Sequence, residues 1–372
     1  MGLKDTVLPQ IPNFEAYTPG LAVDEIRDKY GLADVIKLAS NENPLGTSPV
    51  VQRALTRNAD MAFRYAQAGT PKLNAAIAKK IGVPEQCVVT GNGSDEIIDL
   101  LVRVKARPGV DNIIAFDPCF SVYKLQAKLC GVEFRQTKLN SDFSFDWDAL
   151  LKLADENTAL CFVTTPDNPS GYAPRVEELE ALAKRLPEQC LLVIDEAYMD
   201  FVEDQDAYSL LSRREEFPNI AFLRTFSKMY GLAGMRLGYG VLPEWLADYC
   251  LRVKLPFSVN ILAEIAGIAA LSDTTFVEET MRVVTTGREY LTEQLKKMGF
   301  VVWPSKANFL LVDMPADAPF GAKEFVEKML RCGIILRPLG SYNLPRSLRI
   351  TIGNERENNV FIETAREILA HG

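Results

Sequence analysis

The sequence predicts an α/β fold: a mostly parallel central sheet with helices on both faces, followed by a smaller α+β domain and preceded by an N-terminal arm. Three observations predict it. From about residue 86 to 240, short apolar runs each lead through a polar loop into a longer helical stretch. Those runs are near-continuously apolar rather than alternating, which is how strands buried on both faces read. After Pro256 the pattern changes to two long helices followed by short strands, the mark of a second unit.

The elements follow in order. Residues 1–35 carry Pro9, Pro12 and Pro19 and little strand pattern, so they are expected to form an arm packing on the small domain. Residues 36–256 form the large domain. Strands are expected at 86–90, 112–116, 159–163, 191–194 and 220–224, with helices at 95–105, 121–130 and 176–186. Residues 257–372 form the small domain, with helices at 260–271, 275–298, 323–332 and 357–370 and strands at 301–303, 309–312, 334–337 and 348–352. In such a sheet a ligand binds beyond the carboxyl ends of the strands, so chemistry is to be sought in the loops that follow the runs.

Composition narrows that chemistry. With 372 residues, 48% hydrophobic and 24% charged, the chain is an ordinary globular one of about two domains. Its net charge is 41 − 49 = −8, which argues against nucleic acid as a partner, since phosphate backbones need a basic face. The one histidine is His371, beside the C-terminus, so histidine triads, bases and metal sites are excluded. Seven cysteines at wide spacing, none in a C-x-x-C pair, imply a reducing cytoplasm and no metal site. No charge-free run approaches the ~20 residues of a membrane helix, and no membrane partner is expected.

Lys228 follows the 220–224 run within Thr225-Phe226-Ser227-Lys228-Met229-Tyr230-Gly231. A lysine among small and apolar residues is poorly solvated, which lowers its pKa and frees a neutral amine for attack on a carbonyl. Thr225, Ser227 and Arg236 supply hydroxyls and a planar cation, which suit a phosphate. A lysine beside a phosphate site points to pyridoxal phosphate; the plainer reading is a surface lysine in a glycine-rich loop. Asp195 ends the apolar 191–194 run. A carboxylate there needs a partner, and a protonated pyridine nitrogen would serve and keep the ring an electron sink. Tyr198, three residues on, could reach the ring hydroxyl; a solvated strand end is the alternative. Pro166 and Pro169 fix Asn168 in a rigid turn, whose amide could donate to the ring oxygen or belong to an ordinary turn. Gly91-Asn92-Gly93-Ser94-Asp95 links a strand to a helix whose first amides make an anion site, and Phe120 could stack on a ring. Each loop alone admits its plainer reading. Lysine, acid, amide, aromatic and anion site on five loops of one sheet form a specific coincidence.

The chain resembles the fold-type-I pyridoxal-phosphate aminotransferases, and within them the histidinol-phosphate aminotransferase family. The matching motifs run from residue 41 to 353. They are Asn41-Glu42-Asn43-Pro44-Leu45-Gly46, Arg64-Tyr65, Gly93-Ser94-Asp95-Glu96, Asp117-Pro118-x-Phe120, Asn168-Pro169-Ser170-Gly171, Asp195-Glu196-Ala197-Tyr198, Ser227-Lys228 with Arg236, and Leu348-Arg349-Ile350-Thr351-Ile352-Gly353. Two positions depart: Ala66 stands where the family usually has proline, and Phe120 where tyrosine is common.

The resemblance implies a ping-pong transamination between glutamate and histidinol phosphate, with pyridoxal 5'-phosphate as cofactor. Aromatic aminotransferases and threonine-phosphate decarboxylases share much of the pattern. A cofactor-binding regulator without turnover would be expected to carry a DNA-binding extension, and an acidic chain does not suggest one. By the resemblance, Lys228 links to the cofactor, Asp195 pairs with its ring nitrogen, and Tyr198 and Asn168 bond its ring oxygen. Phe120 stacks on the ring, while Gly93, Ser94, Asp95, Thr225, Ser227 and Arg236 surround its phosphate. Tyr65 would come from the neighbouring subunit of a homodimer with composite sites. Arg349 would hold the substrate anion, with Tyr17, Asn41 and Arg337 nearby; an ion pair of Arg349 with Glu355 or Glu357 is the structural alternative.

Overall fold

The computed structural model describes residues 2–12, 14 and 21–371. The chain opens with helix α1 (Val23–Tyr30), strand β1 (Ile36–Lys37) and helices α2 (Pro49–Arg57) and α3 (Pro71–Ile81). The main alternation follows: β2 (Val88–Asn92), α4 (Ser94–Lys105), β3 (Asn112–Asp117), α5 (Ser121–Leu129), β4 (Glu133–Lys138), α6 (Trp147–Leu151), β5 (Thr158–Thr164), α7 (Val176–Arg185), β6 (Leu191–Asp195), β7 (Ile220–Thr225) and β8 (Leu237–Val241). Helices α8 (Glu244–Val253), α9 (Ile261–Ser272) and α10 (Thr274–Lys297) lead into the C-terminal part. It comprises β9 (Val301–Val302), β10 (Phe309–Asp313), α11 (Ala322–Arg331), β11 (Ile334–Ile335), β12 (Arg337–Pro338), β13 (Ser347–Thr351) and α12 (Glu355–His371).

The seven-stranded sheet runs β2-β8-β7-β6-β5-β3-β4. Strand β8 is antiparallel to both its neighbours, whereas β7, β6, β5, β3 and β4 pair in parallel. Residues along each strand alternate between two cores. Leu192, Ile194, Ile220 and Phe222 face one, with α3, α7 and α9. Leu191, Val193, Ala221 and Leu223 face the other, with α4, α5 and α8. Burial on both faces is why these runs are continuously apolar.

Two strands of this sheet were not expected from sequence. β4 is an edge strand of mixed polar residues, Glu-Phe-Arg-Gln-Thr-Lys, and charge is how an exposed edge avoids further pairing. β8 reads Leu-Gly-Tyr-Gly-Val, too glycine-rich to look like a strand. Its glycines have a packing reason: a Cβ on Gly238 would lie 2.2 Å from the amide nitrogen of Ser94. Helices α2 and α3 were also unread, although each begins with proline, and α3 closes on Gly82 at φ +70°.

In the C-terminal part, β12-β13-β10-β9 form a four-stranded sheet. The expected single strand at 334–337 is two: β11 pairs in parallel with β1, and β12 joins β13. Residues 36–37 therefore pair with the C-terminal part. Ile26 of α1 is buried against Leu330 and Ile335. Among the described residues all seven cysteines are free, no group of residues is arranged to hold a metal ion, and no helix is long and apolar enough to cross a membrane.

Candidate active site

The carboxyl ends of β5, β6 and β7 and the start of α4 enclose a cavity of about 210 Å³. Ser94, Asp95, Phe120, Asn168, Asp195, Tyr198, Thr225, Ser227, Lys228 and Arg236 line it, so ten residues singled out from five separate loops converge.

Lys228 sits in the turn after β7, between the buried side chains of Phe226 and Met229. Its Nζ donates to the carbonyl of Ser40 at 3.0 Å. Burial, reinforced by the nearby Arg349 charge, brings the amine down to about 8. The segment carrying Ser40 packs onto this turn. Asn43 Nδ2 donates to the Met229 carbonyl at 2.8 Å and Thr47 Oγ1 to that of Gly231 at 2.9 Å. Gly231 is required there, because a Cβ would lie 1.9 Å from the Gly46 carbonyl.

At the opposite wall Asp195 is 3% exposed. Its Oδ2 accepts from the Tyr123 hydroxyl at 2.5 Å and its Oδ1 from the Ala197 amide at 3.1 Å. Burial raises the carboxyl to about 6, against the lowering effect of the Tyr123 bond. The Tyr198 hydroxyl, pushed by burial to about 12, accepts from Asn41 Nδ2 at 3.0 Å. Asn41 holds this position with a positive φ of 55° and is 1% exposed. Phe120 caps α5 and meets Tyr123 edge-on, with ring centres 5.6 Å apart.

The third wall is cationic. Arg236 adopts a left-handed backbone, φ 53°, and its guanidinium lies against Gly93, where a Cβ would stand 2.6 Å from Nη2. Its Nη2 pairs with Asp95 Oδ2 at 3.1 Å, and Nη1 donates to the Ala233 carbonyl at 3.1 Å. The first amides of α4 and the hydroxyls of Thr225 and Ser227 complete the wall.

Arg349, on β13, reaches the cavity rim. Its Nη1 donates to Asn168 Oδ1 at 2.6 Å and Nη2 to the Ala39 carbonyl at 2.8 Å. Glu357 instead accepts from the Asn354 amide at the start of α12. Arg337 stands opposite Arg349 in the β12–β13 ladder, which places the two side chains on one face. Tyr65 is not in the cavity: it is 80% exposed and stacks on Phe257 at 4.7 Å. Tyr17 lies outside the described residues. The sequence reading missed Tyr123, whose signal was only its place three residues after Phe120, and Gly238, whose need arises from α4 far away in sequence.

The arrangement pairs a nucleophilic amine with a buried carboxylate on one side and an anion cradle on the other. Residues 33–364 match the family model of aminotransferase class I and II. The chain is 62% identical over 371 residues to a histidinol-phosphate aminotransferase of Nitratidesulfovibrio vulgaris, covering 100% of this chain and 98% of that one. It is 39% identical over 363 residues to a histidinol-phosphate aminotransferase of an Anaeromyxobacter species, covering 98% and 99%. The crystal structure of histidinol-phosphate aminotransferase from Sinorhizobium meliloti, in complex with pyridoxal-5'-phosphate, superposes with a TM-score of 0.89 at 26% identity and 98% coverage of both chains. Aspartate aminotransferase from Thermotoga maritima, 22% identical, shares the fold with a TM-score of 0.83 over 98% of this chain and 100% of that one.

Proposed function

This chain belongs to the histidinol-phosphate aminotransferase family of class I and II aminotransferases, and from that premise we propose that it moves an amino group between glutamate and imidazole-acetol phosphate, in the direction of histidine synthesis. Its cofactor is pyridoxal 5'-phosphate. The observation that carries the reading is the convergence of Lys228, Asp195 and Arg236 on three walls of one cavity. The residues fit the cofactor by their chemistry: an amine already brought to about 8 for its aldehyde, a carboxylate for its ring nitrogen, and a glycine-floored cationic cradle for its phosphate.

When bound, the cofactor supplies an electron sink for the carbon next to the transferred amine. The chain's own groups do the rest. Lys228 holds the cofactor and, once released, takes the proton from one carbon and delivers it to another; such general acid–base work contributes about 10²–10⁴-fold. Asp195 is a carboxylate at neutral pH and holds the ring nitrogen's proton in place. Tyr198 and Asn168 orient the ring oxygen, and Phe120 covers the ring face. The first amides of α4 after Gly93, at Ser94 and Asp95, the hydroxyls of Thr225 and Ser227, and Arg236, held in place by the Asp95 carboxylate, bind the phosphate end. Arg349 binds the substrate's anionic group, with Arg337 and Asn41 near it, and its bond to Asn168 links substrate capture to the cofactor's position.

The working unit is a homodimer. Phe63, Tyr65, Leu255 and Phe257 leave an exposed apolar patch, 77%, 80%, 69% and 45% exposed, which a second copy would cover while lending Tyr65 to its neighbour's site. We assign residues 1–35 to an arm on the small domain, 36–256 to the large cofactor-binding domain and 257–372 to the small domain. Seven free cysteines suit a cytoplasmic enzyme.

The test is a half-reaction screen. The loaded protein is mixed with glutamate, histidinol phosphate, phenylalanine or threonine phosphate while the cofactor's visible absorption is followed. Rapid bleaching by glutamate and histidinol phosphate is expected. Faster bleaching by phenylalanine, or carbon dioxide release from threonine phosphate, would overturn the substrate assignment.

A further inference from the structure

Behind the cavity lies a buried ionic cluster to which none of the steps above assigns a role. Glu196, the residue after Asp195, has a fully buried side chain, and Arg224, next to the end of β7, has one 6% exposed. Arg224 Nε and Nη2 approach Glu196 Oε2 at 2.9 and 2.8 Å. The same guanidinium donates to Gln205 Oε1 at 3.3 Å and lies 3.6 Å from Asp200 Oδ1. The other Glu196 oxygen accepts from Ser209 Oγ at 2.5 Å, and Ser209 in turn accepts from the Leu211 amide. One arginine on β7 thus ties together, directly or through Glu196, residues 196, 200, 205 and 209 in the first part of the connection from β6 to β7.

Stability does not account for such a cluster. A buried ion pair is matched or bettered by well-packed apolar side chains of similar size, because desolvation offsets the attraction. What an apolar pair cannot do is fix direction, and direction matters here. Asp195 and Tyr198 flank Glu196 on the β6 side of the cavity, while Thr225, Ser227 and Lys228 follow Arg224 on the β7 side. The parallel β6–β7 ladder joins the two sides up to Asp195 and Leu223, ending in Glu196 N–H to the Leu223 carbonyl at 2.8 Å, and the side-chain cluster continues that alignment beyond the last ladder bond.

We propose that Arg224 and Glu196 are positioning residues. Their paired hydrogen bonds set the turn bearing Asp195 and Tyr198 against the turn bearing Lys228, so that ring nitrogen, ring oxygen and amine are addressed together. The proposal rests on the aminotransferase reading, and it concerns how the site is held rather than what it binds. A displacement of about 1 Å at reacting groups costs on the order of 10²-fold in rate, so the cluster acts at the scale of tenths of an ångström.

The test uses the full-length loaded protein and three variants: Glu196→Gln, Arg224→Lys and the apolar replacement Arg224→Met with Glu196→Leu. Measured are the thermal midpoint, the affinity for pyridoxal phosphate, the pH midpoint of the cofactor's visible absorption, and kcat and KM for glutamate. The double variant is expected to melt within a few degrees of wild type. Its absorption midpoint moves by at least about half a pH unit and kcat drops about 10- to 100-fold, while KM changes less than about threefold. Arg224→Lys should keep only part of the wild-type kcat, since a point charge replaces the fork. If a folded double variant keeps the wild-type midpoint and kcat, the cluster is structural only and the proposal fails. Should that variant not fold, Glu196→Gln decides in the same way: unchanged absorption and kcat overturn it. Wild-type protein that takes up no pyridoxal phosphate would instead overturn the aminotransferase reading.

Discussion

Gly238→Ala is a sensitive probe of how the site is assembled. A Cβ at 238 would stand 2.2 Å from the Ser94 amide nitrogen and 2.6 Å from the Gly93 carbonyl carbon, both backbone atoms. Reaching ordinary contact at 3.4 Å requires β8 and the start of α4 to separate by about 1.2 Å. No flexible side chain can absorb that shift, so the general cost of overpacking applies, about 1–3 kcal/mol. The displaced groups are Gly93 and Ser94, which form the floor of the phosphate cradle beside Arg236. If that cost falls on the cradle, affinity for pyridoxal phosphate should drop about 5- to 150-fold, and the stabilisation that the cofactor gives against thermal unfolding should shrink. Gly234→Ala, in the turn just before Arg236, is the control: a Cβ there meets nothing within 4 Å, and it should behave as wild type. The assay is fluorescence titration of the cofactor-free chain with pyridoxal phosphate, alongside melting curves with and without it. An alanine at 238 with unchanged affinity and melting would refute the close-approach argument.

Four other outcomes are expected. In the cofactor-free chain, the rate at which an amine reagent labels Lys228 should rise with pH and level off above about 8, because burial favours the neutral amine; a midpoint near the ordinary 10.5 would show a solvated lysine. Tyr123→Phe removes the hydroxyl that lowers the Asp195 carboxyl, so Asp195 should titrate above about 6 and the acid limb of the kcat profile should move upward, with activity down about 10- to 150-fold for a lost bond to a charge; an unmoved limb would count against it. Arg349→Ala should weaken glutamate and histidinol phosphate by a similar factor, with Arg349→Lys recovering part, and unchanged substrate affinity in the folded variant would remove its anion-binding role. Mixing inactive Tyr65 and Lys228 variants should restore some activity through hybrid dimers; no recovery after verified subunit exchange would mean self-contained sites.

The sequence by itself determined five of the sheet's strands, β2, β3, β5, β6 and β7, and the loops that bear its chemistry. Both are local properties: a strand covered on two faces must be apolar throughout, and a loop that follows it carries its functional residue within a few positions. Lys228, Asp195, Asn168 and Ser94 were legible for that reason. Tertiary structure decided the contacts between distant segments. Lys228 is held by the carbonyl of Ser40, 188 positions away, and Asp195 by Tyr123, 72 positions away. Strand β8 was hidden because Gly238 answers to the backbone at the start of α4 and Gly240 to the Ile97 side chain, and Arg224 looked like any strand arginine until Glu196 was seen beside it. Tyr65 carries a recognisable motif, yet its 80% exposure leaves its partner to a second copy. Apolar periodicity reports which face is buried, but the atom a polar group meets there depends on the packing of the whole chain.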